Sequence, residues 1–214
     1  MVHGLKRLVP AAALGLCCAA AASAEPGFKH YVVGNPADVT TATTPLLVMQ
    51  GGGTDVDYNF VRMGAASGGG DFVVIRASGT DAYNPYILGL CACDSVETFV
   101  FKNHNGAYQP FVIEHIKNAE ALFIAGGDQS DYVNFWKNTP VEDAINFVAS
   151  KPAPIGGTSA GMAIRSFGLK SLIVLTSAWL VTSTSGSVVT PAMPLICCGV
   201  PLAFSQAMSM AWTP

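Results

Sequence analysis

Residues 151–164 read KPAPIGGTSAGMAI, and the centre of this stretch decides the fold. Lys151 to Ile155 leads in as a short strand, Gly157-Thr158-Ser159-Ala160-Gly161 has the form G-x-S-x-G, and Ala160 to Ile164 can open a helix. A serine in that pattern belongs at a tight strand-to-helix turn, with its hydroxyl exposed. The next backbone N–H, that of Ala160, then points where an oxyanion would develop. A plain glycine-rich turn could also carry such a serine, but a second stretch argues for a site. Residues 121–129, ALFIAGGDQ, form another buried-type strand ending in a double glycine, followed by Asp128 and Gln129. Two such strand ends imply one active-site crevice.

Working outward, short apolar strands alternate with helices. Strands are expected at 46–50, 72–76, 96–101, 121–125 and 154–158. Helices are expected from Val56 to Ala66 and from Pro110 to Asn118, the latter with Phe111, Glu114 and His115 at helical spacing. A third opens at Thr139-Pro140-Val141-Glu142, a capping box with proline at the first helical position, and runs to about Ala149. Continuously apolar strands separated by helices predict an α/β fold with a mostly parallel sheet covered on both faces. In such sheets the ligand crevice lies at the carboxyl ends of the strands. GGGTD (51–55), GGDQ (126–129) and GTSAG (157–161) all sit at those ends.

The 214 residues, half of them hydrophobic, suit one domain. Lys6 and Arg7 precede an apolar run from Leu8 to Ala22, and Ala22-Ser23-Ala24 supplies a cleavage pattern. Residues 1–24 therefore read as a secretory signal, which makes the chain secreted or periplasmic. The run is too short for a permanent span, and no small residue precedes Cys17, so no stable membrane anchor is expected. Removing Lys6 and Arg7 from the 11 basic residues leaves 9 against 14 acidic ones, which argues against nucleic acid as a partner. Cys91, Cys93, Cys197 and Cys198 remain. Cysteines adjacent or two apart are poorly placed to bridge each other, cross-pairing between the groups stays open, and small buried side chains are the favoured reading. No His/Cys spacing suits zinc, so no metal is expected. GGGTD lacks the Lys-Ser/Thr of a nucleotide loop and the third glycine of a dinucleotide fingerprint, so no cofactor is expected either.

The set GGGTD (51–55), FVVIRASGTDAYNPYI (72–87), DSVETFVF (94–101), NAEALFIAGGDQSDYVNFW (118–136) and GGTSAGMAI (156–164) resembles the cyanophycinase branch of the serine peptidases that includes dipeptidase E. The resemblance covers roughly residues 45–165. It implies a three-layer α/β sandwich of the glutamine-amidotransferase type and cleavage of aspartyl peptide linkages, with an aspartate–arginine polymer as substrate. It also implies Ser159 as nucleophile, the N–H groups of Ala160 and of the Gly126-Gly127-Asp128 turn (Gly127 foremost) as oxyanion hole, and Gln129 as a substrate-holding residue. For Asp128 the residues themselves favour bracing of the turn through side-chain hydrogen bonds.

The resemblance stops soon after. A serine nucleophile needs a base and, usually, an orienting carboxylate, and the family supplies both downstream of the serine. No histidine or acid follows Ser159 here, and residues 171–214 carry no charge at all. That segment offers no periodic helix or strand pattern, and the domain is accordingly read as 25–170, truncated or irregular at its C-terminal end. A frame shift or unspliced intron, a degenerate homologue and a genuine divergent tail would each produce it; the abrupt loss of pattern past Ile164 favours the first. Upstream, His104 follows a strand at the edge of the catalytic loops, though its neighbours Lys102, Asn103, Asn105 and Gly106 read as an exposed turn. His115 reads as a partly buried helix residue, and His30 carries no signal. The general base is unassigned. The sequence thus points to a secreted serine-type peptidase lacking part of its machinery, with a non-catalytic peptide-binding homologue as the alternative. An esterase elbow fares no better, because esterases too place their histidine after the serine.

Overall fold

The computed structural model describes residues 26–168 and 179–183; the expected leader and the remainder of 171–214 lie outside them. The elements in chain order are β1 (Phe28–Gly34), β2 (Leu46–Gln50), α1 (Asp57–Ala66), β3 (Asp71–Arg76), α2 (Tyr83–Leu90), β4 (Ser95–Phe101), a 3₁₀ turn (His104–Tyr108), α3 (Pro110–Asn118), β5 (Ala121–Ile124), α4 (Gln129–Trp136), α5 (Pro140–Ser150), β6 (Pro154–Thr158), α6 (Ala160–Gly168) and β7 (Trp179–Ser183). The strands lie side by side in the order β1-β4-β3-β5-β6-β2-β7. Only β1 runs antiparallel to its neighbour.

The strand sequences explain the layering. Along β3, Val73 and Ile75 enter one core while Phe72 and Val74 enter the other; along β5, Leu122 and Ile124 alternate with Ala121 and Phe123 in the same way. A strand apolar at every position needs cover on both faces. Phe60 and Met63 of α1 and Ile87 of α2 supply it on one side. Val112 and Ile116 of α3, Tyr132 and Trp136 of α4, Val141 and Ile145 of α5 and Ala160 of α6 supply it on the other. The result is the expected three-layer α/β sandwich with a mostly parallel sheet. The expected box at α5 forms by half: Glu142 N–H donates to Thr139 Oγ1 at 3.5 Å, but Glu142 Oε2 accepts from Asn138 N at 2.5 Å, because the Thr139 N–H already donates to the Trp136 carbonyl.

Two expectations need correction. Cys91 and Cys93 do bridge, with Cα atoms 5.3 Å apart, inside the usual range. Helix α2 stops at Leu90 and Cys91 turns extended (φ −114°, ψ 151°), which swings the two side chains together. They are half-buried against α1, where Gly64 leaves room for Cys91. The other concerns residues 171–214, read as holding no strand: Trp179–Ser183 pairs in parallel with β2. The edge of β2 offers a row of free N–H and C=O groups, and Trp-Leu-Val-Thr is a composition suited to a pleated surface.

A polar cluster closes the amino ends of the central strands. Asp71 accepts from Ser95 Oγ at 2.6 Å and Val39 N at 3.0 Å, and its N–H donates to Glu120 Oε2 at 3.0 Å. Burial pushes the Glu120 carboxyl above its ordinary value, and the Asp71 N–H only partly opposes this. A raised folded-state value means that the folded chain holds this proton more tightly than the unfolded chain. That contribution is fully present below the ordinary glutamate range and is lost as pH rises through the folded value. Glu120→Gln should therefore lose this pH dependence. Its stability relative to the parent, followed by urea unfolding at a series of pH values, should rise with pH across that window; a constant difference would contradict the assignment.

Candidate active site

Strand β6 is buried at every position, and the residue after it is exposed. That residue is Ser159, which lies in the left-handed region at φ 50°. Non-glycine residues there cost on the order of 1–3 kcal/mol and persist where surroundings impose them. The imposing contacts are visible. Ser159 N–H donates to the Gln50 carbonyl at the end of β2 (3.2 Å), and the Ser159 carbonyl accepts from Ala163 N in α6 (3.0 Å). Glycine on both sides lets the helix start this close to the sheet. A Cβ at Gly157 would stand 2.8 Å from the Gly161 carbonyl group, and one at Gly161 would stand 2.1 Å from Ile124 O and 2.5 Å from Ala125 O. Ala160 opens α6, so its N–H has no carbonyl within the helix to take it.

Strand β5 pairs with β6 in the register Ile124↔Gly157, which brings the turn after β5 beside the serine. A Cβ on Gly126 would lie 3.3 Å from Ser159 Cβ. Gly127, Asp128 and Gln129 are exposed in that turn. Asp128 caps α4 by accepting from Ser130 N (2.8 Å) and Ser130 Oγ (2.7 Å), and these bonds hold its carboxyl below the ordinary value. Tyr132 fixes the turn from beneath, its hydroxyl reaching the carbonyls of Ala125 (2.7 Å) and Gly126 (2.9 Å). Burial pushes the Tyr132 hydroxyl up to about 12, so it stays a donor across the physiological range. Ser159, Ala160, Gly127 and Gln129 are thus gathered at two adjacent strand ends.

The histidines are placed differently. His104 Nδ1 lies 3.1 Å from the Asn134 carbonyl on α4, and among the described residues no side chain hydrogen-bonds to Ser159 Oγ. His30 and His115 both bond to Glu97, on the side of the sheet covered by α3. The sequence alone does not single out a further group at the carboxyl edge of the sheet. Arg76 ends β3, its guanidinium lies 5.3 Å from the Tyr83 ring centre, and its buried Nε has no partner among the described residues. Tyr83 OH donates to Asp55 Oδ2 at 2.5 Å, and burial followed by this carboxylate keeps the phenol strongly protonated. The signal was available only as an arginine closing an otherwise apolar strand.

No protein-family model matches this chain, and no curated protein matches it. Among solved structures it is similar to a peptidase from an acI-B1 Actinobacterium, at 18% identity and a TM-score of 0.43. The similarity covers 56% of this chain and 56% of that one.

The glycine contacts give a direct check. Gly161→Ala drives a methyl into two backbone carbonyls and should cost about 3 kcal/mol, as overpacking against unyielding neighbours does. Gly52→Ala, where a Cβ meets nothing within 4 Å, should stay within about 0.5 kcal/mol of the parent. Urea midpoints of the two variants would measure the contrast, and equal midpoints would refute the close approach.

Proposed function

We propose that the chain is an exported serine-type peptidase of the cyanophycinase kind, in which Ser159 attacks aspartyl peptide linkages. The observation that carries this reading is the exposed Ser159, held left-handed between β6 and α6. Ser159 Oγ is the attacking atom, and the N–H groups of Ala160 and Gly127 receive the developing oxyanion, the arrangement that acyl transfer requires. Gln129, first residue of α4, holds substrate. Arg76 supplies a cation at the same edge, suited to an aspartyl carboxylate. Among the described residues no base bonds to Ser159 Oγ, no histidine or acid follows it up to residue 214, and an unassisted hydroxyl is a weak nucleophile. That same lack favours a second reading, a non-catalytic protein that retains the crevice for an aspartyl peptide.

The test compares release of dipeptide from an aspartate–arginine polymer by three chains: the present one, one with a downstream histidine and acid restored, and the restored chain carrying Ser159→Ala. The present chain and the Ser159→Ala variant should turn over roughly 10⁴–10⁶-fold more slowly than the restored chain, the span lost when single members of such a triad are removed. Full turnover by the present chain would mean that a base is already in place, with His104→Ala the next variant. A restored chain inert on every aspartyl peptide, yet binding them in calorimetry, would favour the second reading.

A further inference from the structure

Far from Ser159 in sequence, three elements converge on one buried carboxylate. Glu97 lies in the middle of β4, on the face that also carries Phe99, and its side chain is only 8% exposed. Its ion-pair partners among the described residues are two histidines. His30 Nε2, from the antiparallel edge strand β1, lies 2.7 Å from Glu97 Oε2. His115 Nδ1, from α3, lies 2.9 Å from Oε1 and 3.0 Å from Oε2. One potential ligand atom from each residue lies within 4.8 Å of those of the other two.

We propose that His30 Nε2, His115 Nδ1 and the Glu97 carboxylate form a binding site for a divalent transition ion of the zinc class. Two imidazoles and a carboxylate are a donor set that suits this borderline ion, and three protein ligands leave a fourth position for water. A tetrahedral zinc centre needs ligand atoms about 3.3 Å apart, so the carboxylate contacts would lengthen by a few tenths of an ångström, and the two imidazole nitrogens, within 4.8 Å of each other, would adjust by up to about 1.5 Å. The ion takes the place of the two N–H protons now directed at Glu97. Each imidazole stays neutral by carrying its proton on the opposite nitrogen, and the carboxylate gains a full positive partner.

The surroundings support the site. The His30 ring stacks on Phe99 with centres 4.6 Å apart, and Phe111 packs against His115 at 4.2 Å. This aromatic wall fixes ring orientation and limits water, both of which strengthen ligation. On the open side a cavity lined also by Asp38 and Asp71 reaches the three residues. Asp71 is engaged by Ser95 and Val39, and Asp38 Oδ2 accepts from Asn118 Nδ2 at 3.2 Å, so these two carboxylates add field rather than ligands. Bound there, the ion would staple the edge strand β1 to β4 and α3.

The experiment uses the tag-free full chain, stripped with chelator and titrated with Co²⁺ and Zn²⁺. The expected result is a 1:1 visible absorption of four-coordinate Co²⁺, displaced by Zn²⁺, and a higher melting temperature with Zn²⁺. Loss of an outer-shell partner alone typically weakens metal sites 10–100-fold, so His30→Ala and His115→Ala should each weaken binding by at least about 100-fold. His104→Ala should leave it unchanged. Should the variants fail to fold, diethyl pyrocarbonate labelling of the parent chain reads the same site, with Zn²⁺ protecting His30 and His115 but not His104. Absence of the Co²⁺ band in the parent chain, binding unaltered in both histidine variants, or no protection of His30 and His115 would each overturn the proposal.

Discussion

The architecture around Ser159 depends on one backbone-to-backbone approach, that of the first turn of α6 onto the end of β5. Gly161 sits where a single methyl would strike the carbonyls of Ile124 and Ala125. With the helix start pressed that close, the chain must reverse direction within one residue, and Ser159 takes the left-handed conformation that accomplishes it. The penalty of that conformation is offset by the bonds it allows, to Gln50 on one side and Ala163 on the other. Exposure of the hydroxyl is a geometric consequence of the turn. The same approach places the glycine turn after β5 beside the serine, because no side chain intervenes between them.

This explains why the centre of the fold was legible in the sequence. Glycines at 157 and 161 are demanded by contact, and the flanking strands are apolar at every position because both their faces are covered. The strands 46–50, 72–76, 96–101, 121–125 and 154–158 all emerge within a residue of expectation. The elements that escaped reading are those whose pattern is diluted by their place. β1 is an edge strand with no fully buried position and with Lys29 and His30 breaking its apolar run. α2, YNPYILGL, holds Pro85 and Gly89 and no charged face to give it a period. α4 begins on Asp128-Gln129-Ser130, residues that read equally well as a turn until the Asp128 cap is seen. The two cysteines bridge because α2 ends at Leu90 and Cys91 turns extended, a boundary that spacing alone does not reveal.

Site residues divide along the same line. Ser159 and Ala160 are local to one motif, and Gly127 and Gln129 to another; their meeting follows from β5 and β6 being neighbours although two helices separate them in the chain. Arg76, Tyr83 and Asp55 come together from a strand end, a helix start and a loop, with no local spacing to announce them. The cluster at Glu97 is the extreme case. Its members are 67 and 18 residues from the glutamate, and only the antiparallel register, in which Val32 faces Glu97 and His30 faces Phe99, carries His30 to the carboxylate. A window moved along the sequence has no access to that register.

Topology also brings the end of β7 to the edge of the sheet that holds Ser159. The sheet edge beyond β2 is completed by β7, running parallel, so the chain leaves β7 at the carboxyl edge. Its last residue, Ser183, stands opposite Gln50, the residue whose carbonyl holds the Ser159 N–H. A segment following a strand in that position starts one strand away from β2 and two from β6, whose end carries Ser159, at the same end of the sheet. Residues 184–214 contain no histidine, aspartate or glutamate. β7 therefore ends at the carboxyl edge of the sheet that also holds Ser159, and the stretch after it carries neither the imidazole nor the carboxylate of a serine triad.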